Sequence, residues 1–153
     1  MNLLLFSDSH GNLPRLRQMI KQAWQEGAPD AILYAGDGIR DLAGLEADCP
    51  VYAVRGNCDL ASPAPDQLLI PYGSGQVYLC HGHLHRVKRG LTLLCAAAQA
   101  SGAAVAVFGH THQQGFAIEQ GVYCINPGAL DTGQYARLGF SLDGRPAPRF
   151  YSL

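Results

Sequence analysis

The 153-residue chain is predicted to fold as an α/β protein with two packed sheets and helices outside. Three observations carry that expectation. The first half alternates apolar runs of strand length with one helical stretch, and a polar loop closes every run. The second half repeats this rhythm less regularly, and the chain then turns to antiparallel hairpins.

Residues 2–7 form a continuous apolar run, the pattern of a strand buried on both faces. Asn12 follows as a helix N-cap, with Pro14 in the first turn where its missing N–H does no harm. Leu13, Leu16, Ile20, Ala23 and Trp24 recur at helical spacing, and Gly27 with Pro29 closes the helix. Residues 31–35 and 51–54 read as the second and third strands, running into Gly36-Asp37-Gly38 and Arg55-Gly56-Asn57. Residues 76–80 make a strand ending at His81. Residues 87–101 read as an alanine-rich helix, with Leu91, Leu94, Cys95 and Ala98 on one face. Residues 103–108 give a strand ending at Gly109-His110. Strands at 115–118, 122–125, 135–142 and 148–151 complete the chain, the last two joined around Asp143-Gly144. No linker or repeat divides the sequence, so one domain over 1–153 is expected.

Bulk properties exclude several classes. Net charge is −1 and the pI about 6.6, so broad affinity for nucleic acid or membrane is not expected. The basic run Arg86-Val87-Lys88-Arg89 reads as a solvated helix start. The five cysteines are odd in number and form no C-x-x-C pair; Cys80, Cys95 and Cys124 read as small core residues. No apolar stretch approaches the ~20 residues of a membrane span. Leu3-Leu4-Leu5-Phe6 is too short for a signal-peptide core. A reduced, cytoplasmic setting is the expectation, and a homo-oligomer is compatible with it.

All six histidines fall in or beside five polar stretches. These are Asp8-Ser9-His10, Gly36-Asp37, Gly56-Asn57-Cys58-Asp59, His81-Gly82-His83 and His110-Thr111-His112. Ligand sites in α/β sheets lie beyond the carboxyl ends of strands, which is where each stretch sits. Asp8 and His10, two apart, project to one side if the extended backbone continues past the strand, and His110 and His112 do the same. Asp37 can bridge two cations, one oxygen to each, and Asn57 offers a neutral carbonyl oxygen. Glycines at 36, 56, 82 and 109 provide for tight turns beside the ligands. Singly each motif is weak; the combination, in this order, is specific.

These motifs resemble the calcineurin-like metallophosphoesterases: D-x-H, G-D, G-N-[HC]-[DE], a single histidine, then G-H-[TS]-H. Ser7-Asp8-Ser9-His10-Gly11-Asn12, Val54-Arg55-Gly56-Asn57-Cys58-Asp59 and Asn126-Pro127-Gly128 resemble the small bacterial and archaeal phosphodiesterase branch. The resemblance implies a four-layer α/β/β/α sandwich, the metallo-dependent phosphatase fold. It implies one metal held by Asp8, His10, Asp37 and His112, and a second held by Asp37, Asn57, His81 and His110. Cys58 stands outside both sets, where larger relatives carry a histidine that helps the leaving group. A thiol with an ordinary pKa of ~8.5 is a poor general acid. Leaving-group help is therefore expected to be weaker, favouring phosphodiesters or activated leaving groups. Asp59, with no imidazole to orient, is left a supporting or structural role.

The implied function is hydrolysis of small phosphodiesters by in-line attack of a metal-bridging hydroxide, with Asn57, Cys58 and His81 as catalytic candidates. Imidazole ligands favour Mn²⁺, Fe²⁺, Ni²⁺ or Zn²⁺ over Mg²⁺, and the resemblance puts Mn²⁺ first. Ser7 and Ser9 need no catalytic role. His83 is a substrate contact, a support for a ligand, or exposed polar surface, and His85 reads as surface. Arg55 either neutralises a phosphate or pairs with Asp41 or Asp59. Loops 59–67 and 112–116 would wall the pocket. The alternatives are a protein scaffold, as in the related retromer subunit, or a nuclease or cyclic-nucleotide phosphodiesterase. The lack of a basic stripe argues against long nucleic acids.

Overall fold

Leu3 and Leu5 point one way from β1 (Asn2–Phe6), Leu4 and Phe6 the other, and all four are completely buried. That alternation fixes the layering, because a strand with two apolar faces must be covered on both. The computed structural model describes residues 1–153. β1 lies central in one sheet, parallel to β2 (Ala31–Tyr34), which is parallel to β3 (Val51–Ala53). On its other side β9 (Gln134–Phe140) runs antiparallel, followed by β10 (Pro146–Ser152). The second sheet has the order β4 (Gln67–Tyr72), β5 (Gly75–Cys80), β6 (Val105–Val107), β8 (Val122–Pro127), β7 (Gln114–Glu119). There β5, β6 and β8 are parallel, and β4 and β7 form antiparallel edges.

Leu3, Leu5, Leu33, Val77, Val105 and Leu138 are among the residues that pack between the sheets. α1 (Leu13–Gln25) covers the outer face of the first sheet through Leu16, Met19 and Ala23 against Phe6 and Tyr34. α2 (Thr92–Ala100) covers the second through Leu94, Cys95 and Ala98 against Ala106 and Cys124. The result is the α/β/β/α sandwich. Asn12 caps α1 as expected, accepting from Arg15 N at 3.2 Å. A buried cation closes its other end: Arg137 of β9 donates to Ala23 O at 2.8 Å, Gly27 O at 2.7 Å and Asn2 Oδ1 at 3.1 Å.

Several expectations need correction. The second helix does not begin at residue 87. Residues Val87–Arg89 form a separate 3₁₀ turn, and Gly90, at φ 134°, breaks the chain before α2. The basic run is thus no helix start, and its Val87 is buried in the core. β4 stands where no strand is expected, and it contains Pro71, a residue that disfavours strands. Proline is tolerated here since β4 is an edge. The last hairpin turns at Asp143-Gly144 as expected, but β9 ends at Phe140, leaving Leu142 fully exposed in the loop.

Candidate metal centre

All the parallel strands of both sheets end on one rim, and every residue singled out by motif lies just past such an end. Asp8 follows β1, Asp37 follows β2, Asn57 follows β3, His81 directly follows β5, and His110 follows β6. The backbone does not continue extended past the strands, however. Asp8 (φ 53°), His10 (46°), Asp37 (63°), His110 (69°) and His112 (58°) all adopt left-handed conformations. The chain has only two other non-glycine residues with positive φ, Arg86 and Gln120. The D-x-H and H-x-H pairs therefore converge through sharp turns, at a cost of about 1–2 kcal/mol per residue that the surrounding contacts must offset.

Those contacts are polar clamps. Asp59 accepts four amides: Asp37 N at 2.8 Å and Gly56 N at 2.9 Å on Oδ2, Gly38 N at 2.9 Å and Ile39 N at 3.1 Å on Oδ1. Asp41 Oδ2 accepts from Ser9 Oγ at 2.6 Å and Gly11 N at 2.9 Å, fixing the Asp8–His10 turn. Asn126 donates to Gly109 O at 3.0 Å and Thr111 Oγ1 at 2.9 Å, fixing the His110 turn. The Tyr34 hydroxyl donates to Asp37 O at 2.8 Å. Motif reading gave Asp59 only a general supporting role, considered Asp41 only as a partner for Arg55, and gave Asn126 no separate role.

Close approach, more than turn geometry, explains two of the flanking glycines. Gly56 and Gly109 have no left-handed φ. A Cβ at Gly56 would collide with the Asp37 carboxylate, and one at Gly109 would lie 2.7 Å from Asp8 Oδ2.

Asp8, Asp37 and His81 form a buried floor, whereas His10, His112, Asn57 and Cys58 are exposed at the rim. Asp8 Oδ2 is occupied by Ser7 Oγ at 2.6 Å and His110 N at 3.1 Å. Its other oxygen, Oδ1, is buried and has no hydrogen-bond partner. Imidazole Nε2 atoms surround that oxygen at 3.0 Å (His112), 3.6 Å (His10) and 4.0 Å (His81). The His112 nitrogen, although 3.0 Å away, makes no hydrogen bond to it. His81 Nδ1 faces Ala35 O at 2.6 Å, which turns Nε2 towards Asn57 Oδ1 at 3.1 Å and Asp37 Oδ2 at 3.4 Å. A ring nitrogen fixed by a backbone carbonyl on its far side is the usual preparation of a metal-ligating histidine.

The electrostatics agree. Burial opposes charge on Asp37, but His81 and the Cys58 amide overcome it and hold the carboxyl below its usual range. Burial likewise opposes charge on His81, and the Asp37 and Asp8 carboxylates raise its pKa nonetheless. A cation at this point would take the place of the proton those carboxylates attract. Burial, with His81 and Lys88 nearby, pushes His110 down to about 4, so its ring is neutral at physiological pH.

Three clusters result, the donor atoms in each lying within 4.8 Å of one another: Asp8–His10–His112, Asp8–Asp37–His81 and His10–Asp37–Cys58. The structure thus brings Asp8, His10 and His112 together, and Asp37 with His81 and Asn57, the two groups meeting through Asp8. His110 joins no three-donor cluster; its ring stands edge-on to His81 with centroids 5.0 Å apart. Cys58, expected outside both ligand sets, belongs to the cluster with His10 and Asp37.

The remaining candidates join none of these clusters. Arg55 pairs with Asp66 at 2.7 Å and with neither Asp41 nor Asp59. His85 is not plain surface: it is half-buried, with Nε2 3.1 Å from the Tyr78 hydroxyl. His83 is half-buried with its ring 5.4 Å from that of His81. No helix is long and apolar enough to cross a membrane.

Comparison with known proteins gives a consistent answer. The family model for the calcineurin-like phosphoesterase superfamily domain matches residues 1–140. The chain is 35% identical, over 99% of its length and 90% of the other, to the Bacillus subtilis (strain 168) protein named probable metallophosphoesterase YsnB. Its fold is similar to that of Vps29 from Entamoeba histolytica, with a TM-score of 0.78 at 19% identity and 100% and 99% of the two chains covered. It is similar also to a solved archaeal phosphodiesterase, with a TM-score of 0.74 at 20% identity and both chains covered completely. Match, fold and donor set agree that the chain belongs to the calcineurin-like phosphoesterase superfamily and is a metal-dependent phosphoesterase.

Proposed function

We propose that the protein, acting as one domain over 1–153, hydrolyses small phosphodiesters at a centre of two divalent ions. Asp8, His10, Asp37 and His112 would hold one ion, and Asp37, Asn57, His81 and His110 the other, with Asp37 shared. The observation that carries this reading is the buried, unpartnered Oδ1 of Asp8, ringed by imidazole nitrogens. A buried anionic oxygen without a partner is costly, and a cation removes that cost. Mixed imidazole and carboxylate donors suit Mn²⁺, the first choice, and also Fe²⁺, Ni²⁺ or Zn²⁺.

When bound, the ions supply Lewis-acid charge and a nucleophile derived from water at neutral pH. The protein's own residues position and discriminate. Asp8 and Asp37 make the floor anionic, so a phosphoester cannot approach until that charge is compensated. Asn57 turns Oδ1 to His81 and is exposed, and its Nδ2, which reaches Cys58 Sγ at 3.5 Å, keeps a second N–H to donate to a non-bridging phosphate oxygen. His81, fixed through Nδ1, keeps a single orientation at the floor. With Arg55 tied to Asp66, that guanidinium does not take up the second charge of a phosphomonoester dianion, which supports the diester preference. Cys58 stands where an acid would assist departure and is a weak one, which favours leaving groups that need little help.

The test is assay of metal-depleted protein reloaded with Mn²⁺ on a chromogenic phosphodiester and the matching monoester, with Asp37→Ala as control. Diester turnover lost in the control supports the reading. Protein that binds no metal and turns over neither ester would instead favour a protein-interaction role, the reading to which the Vps29 likeness lends its fold.

A further inference from the structure

Cys58 carries the one soft donor at the rim, and it stands where two other donors converge. Its sulfur, a His10 ring nitrogen and an Asp37 carboxylate oxygen lie within 4.8 Å of one another. The turn that carries the thiol also grips the carboxylate, because Cys58 N donates to Asp37 Oδ1 at 2.8 Å. The remaining polar neighbour of the sulfur is Asn57 Nδ2, at 3.5 Å. Cys58 and His10 are exposed, so these donors open to solvent, and both line a groove of about 490 Å³ with Arg40, Asp41 and Leu60. The feature that points to a cation at the centre also reaches His10 of this set. The unpartnered, fully buried Asp8 Oδ1 lies 3.6 Å from His10 Nε2.

We propose that Cys58 is a metal ligand, its thiolate forming with His10 and Asp37 a donor set for thiophilic divalent cations such as Zn²⁺ or Cd²⁺. This rests on the metal-dependent reading of the centre and goes beyond it, since neither set of ligands described above uses the thiol. Donor softness decides which ions respond. Thiolate selects the zinc class, whereas carboxylate and imidazole already satisfy Mn²⁺. On binding, the S–H bond breaks, a sulfur–metal bond forms, and the proton leaves to solvent. His10 and Asp37 also belong to the Mn²⁺ sets, so an ion held through Cys58 competes for them. The centre is thereby made to discriminate between two classes of metal, with Cys58 as the discriminating residue.

Cobalt(II), which reports its ligands in its absorption spectrum, tests this without any activity measurement. The metal-stripped protein and its Cys58→Ser variant are each titrated with Co²⁺. Ligand-field bands in both proteins, with a near-ultraviolet thiolate-to-cobalt charge-transfer band in the native protein only, are expected. Removing even an outer partner of a metal site costs 10–100-fold, so Cys58→Ser should also weaken Zn²⁺ binding by at least about tenfold while leaving Mn²⁺ binding within about twofold. Ligand-field bands without a charge-transfer band in the native protein would overturn the proposal. So would a charge-transfer band that survives in Cys58→Ser. Absence of ligand-field bands from both proteins would remove the metal centre itself, and the proposal with it.

Discussion

The carboxylate of Asp59 binds the backbone amide of Asp37 at 2.8 Å, and the same side chain gathers the amides of Gly38, Ile39 and Gly56. One acid thus ties the loop after β2 to the loop after β3. Asp59→Asn puts an amide donor among those N–H groups and removes the charge. Metal affinity is expected to fall about 10–100-fold while the far-ultraviolet circular dichroism is kept. Isothermal titration with Mn²⁺ checks this, and unchanged affinity would count against the clamp.

Gly56 and Gly11 separate crowding from backbone freedom. A Cβ at Gly56 meets the Asp37 carboxylate, whereas one at Gly11, at φ 82°, meets nothing within 4 Å. Gly56→Ala is expected to weaken metal binding by about tenfold or more. Gly11→Ala should cost about 1 kcal/mol of stability and weaken metal binding less than Gly56→Ala does. Equal effects of the two on metal binding would contradict the crowding argument.

Arg137 is buried and donates to Ala23 O, Gly27 O and Asn2 Oδ1. Arg137→Met removes three hydrogen bonds from a charged donor at the end of α1, although Ala23 O keeps the amide of Glu26. A loss of about 1.5–3 kcal/mol is expected by urea unfolding, the range for hydrogen bonds to a charged group. Metal binding on the opposite rim should persist in the folded fraction.

His110 gives the metal-free protein a pH dependence. Its pKa falls from 6.5 to about 4 on folding, so between those values the unfolded chain binds a proton that the native ring refuses. Stability is then expected to drop as pH falls from about 6.5 towards 4, because the unfolded state is favoured there. His81 shifts upward, and its contribution is present at low pH and lost as pH rises through its folded value. Replacing His110 by Gln should therefore flatten the acid limb of urea midpoints measured in chelator. A limb of unchanged steepness would refute this.

Arg55 is spoken for by Asp66. Arg55→Ala is expected to leave kcat and KM for a phosphodiester within about twofold, since the guanidinium is engaged by Asp66 and joins none of the donor clusters. A large rise in KM would reinstate the arginine as a phosphate contact.

How much of this was legible in the sequence depended on how local the signal was. Apolar runs ending in Asp8, Asp37, Asn57, His81 and His110 revealed strand, rim and donors together, because those features share a few consecutive residues. β4 was not expected, and its Pro71 counts against a strand unless its edge position is known. The clamps stayed hidden because they join loops far apart in the chain, Asp59 to Asp37 or Asn126 to Gly109, and no periodicity links them. Cys58 looked like a substitution in a motif, and its closeness to His10 exists only in three dimensions.

The left-handed turns at Asp8, His10, Asp37, His110 and His112 bear on engineering. Grafting these side chains onto another scaffold at the same spacing would not transplant the centre. On ordinary right-handed or extended loops the same residues would point apart. A successful graft must import Asp41, Asp59 and Asn126 together with their loops, because they hold the chain in the handedness that makes the donors meet.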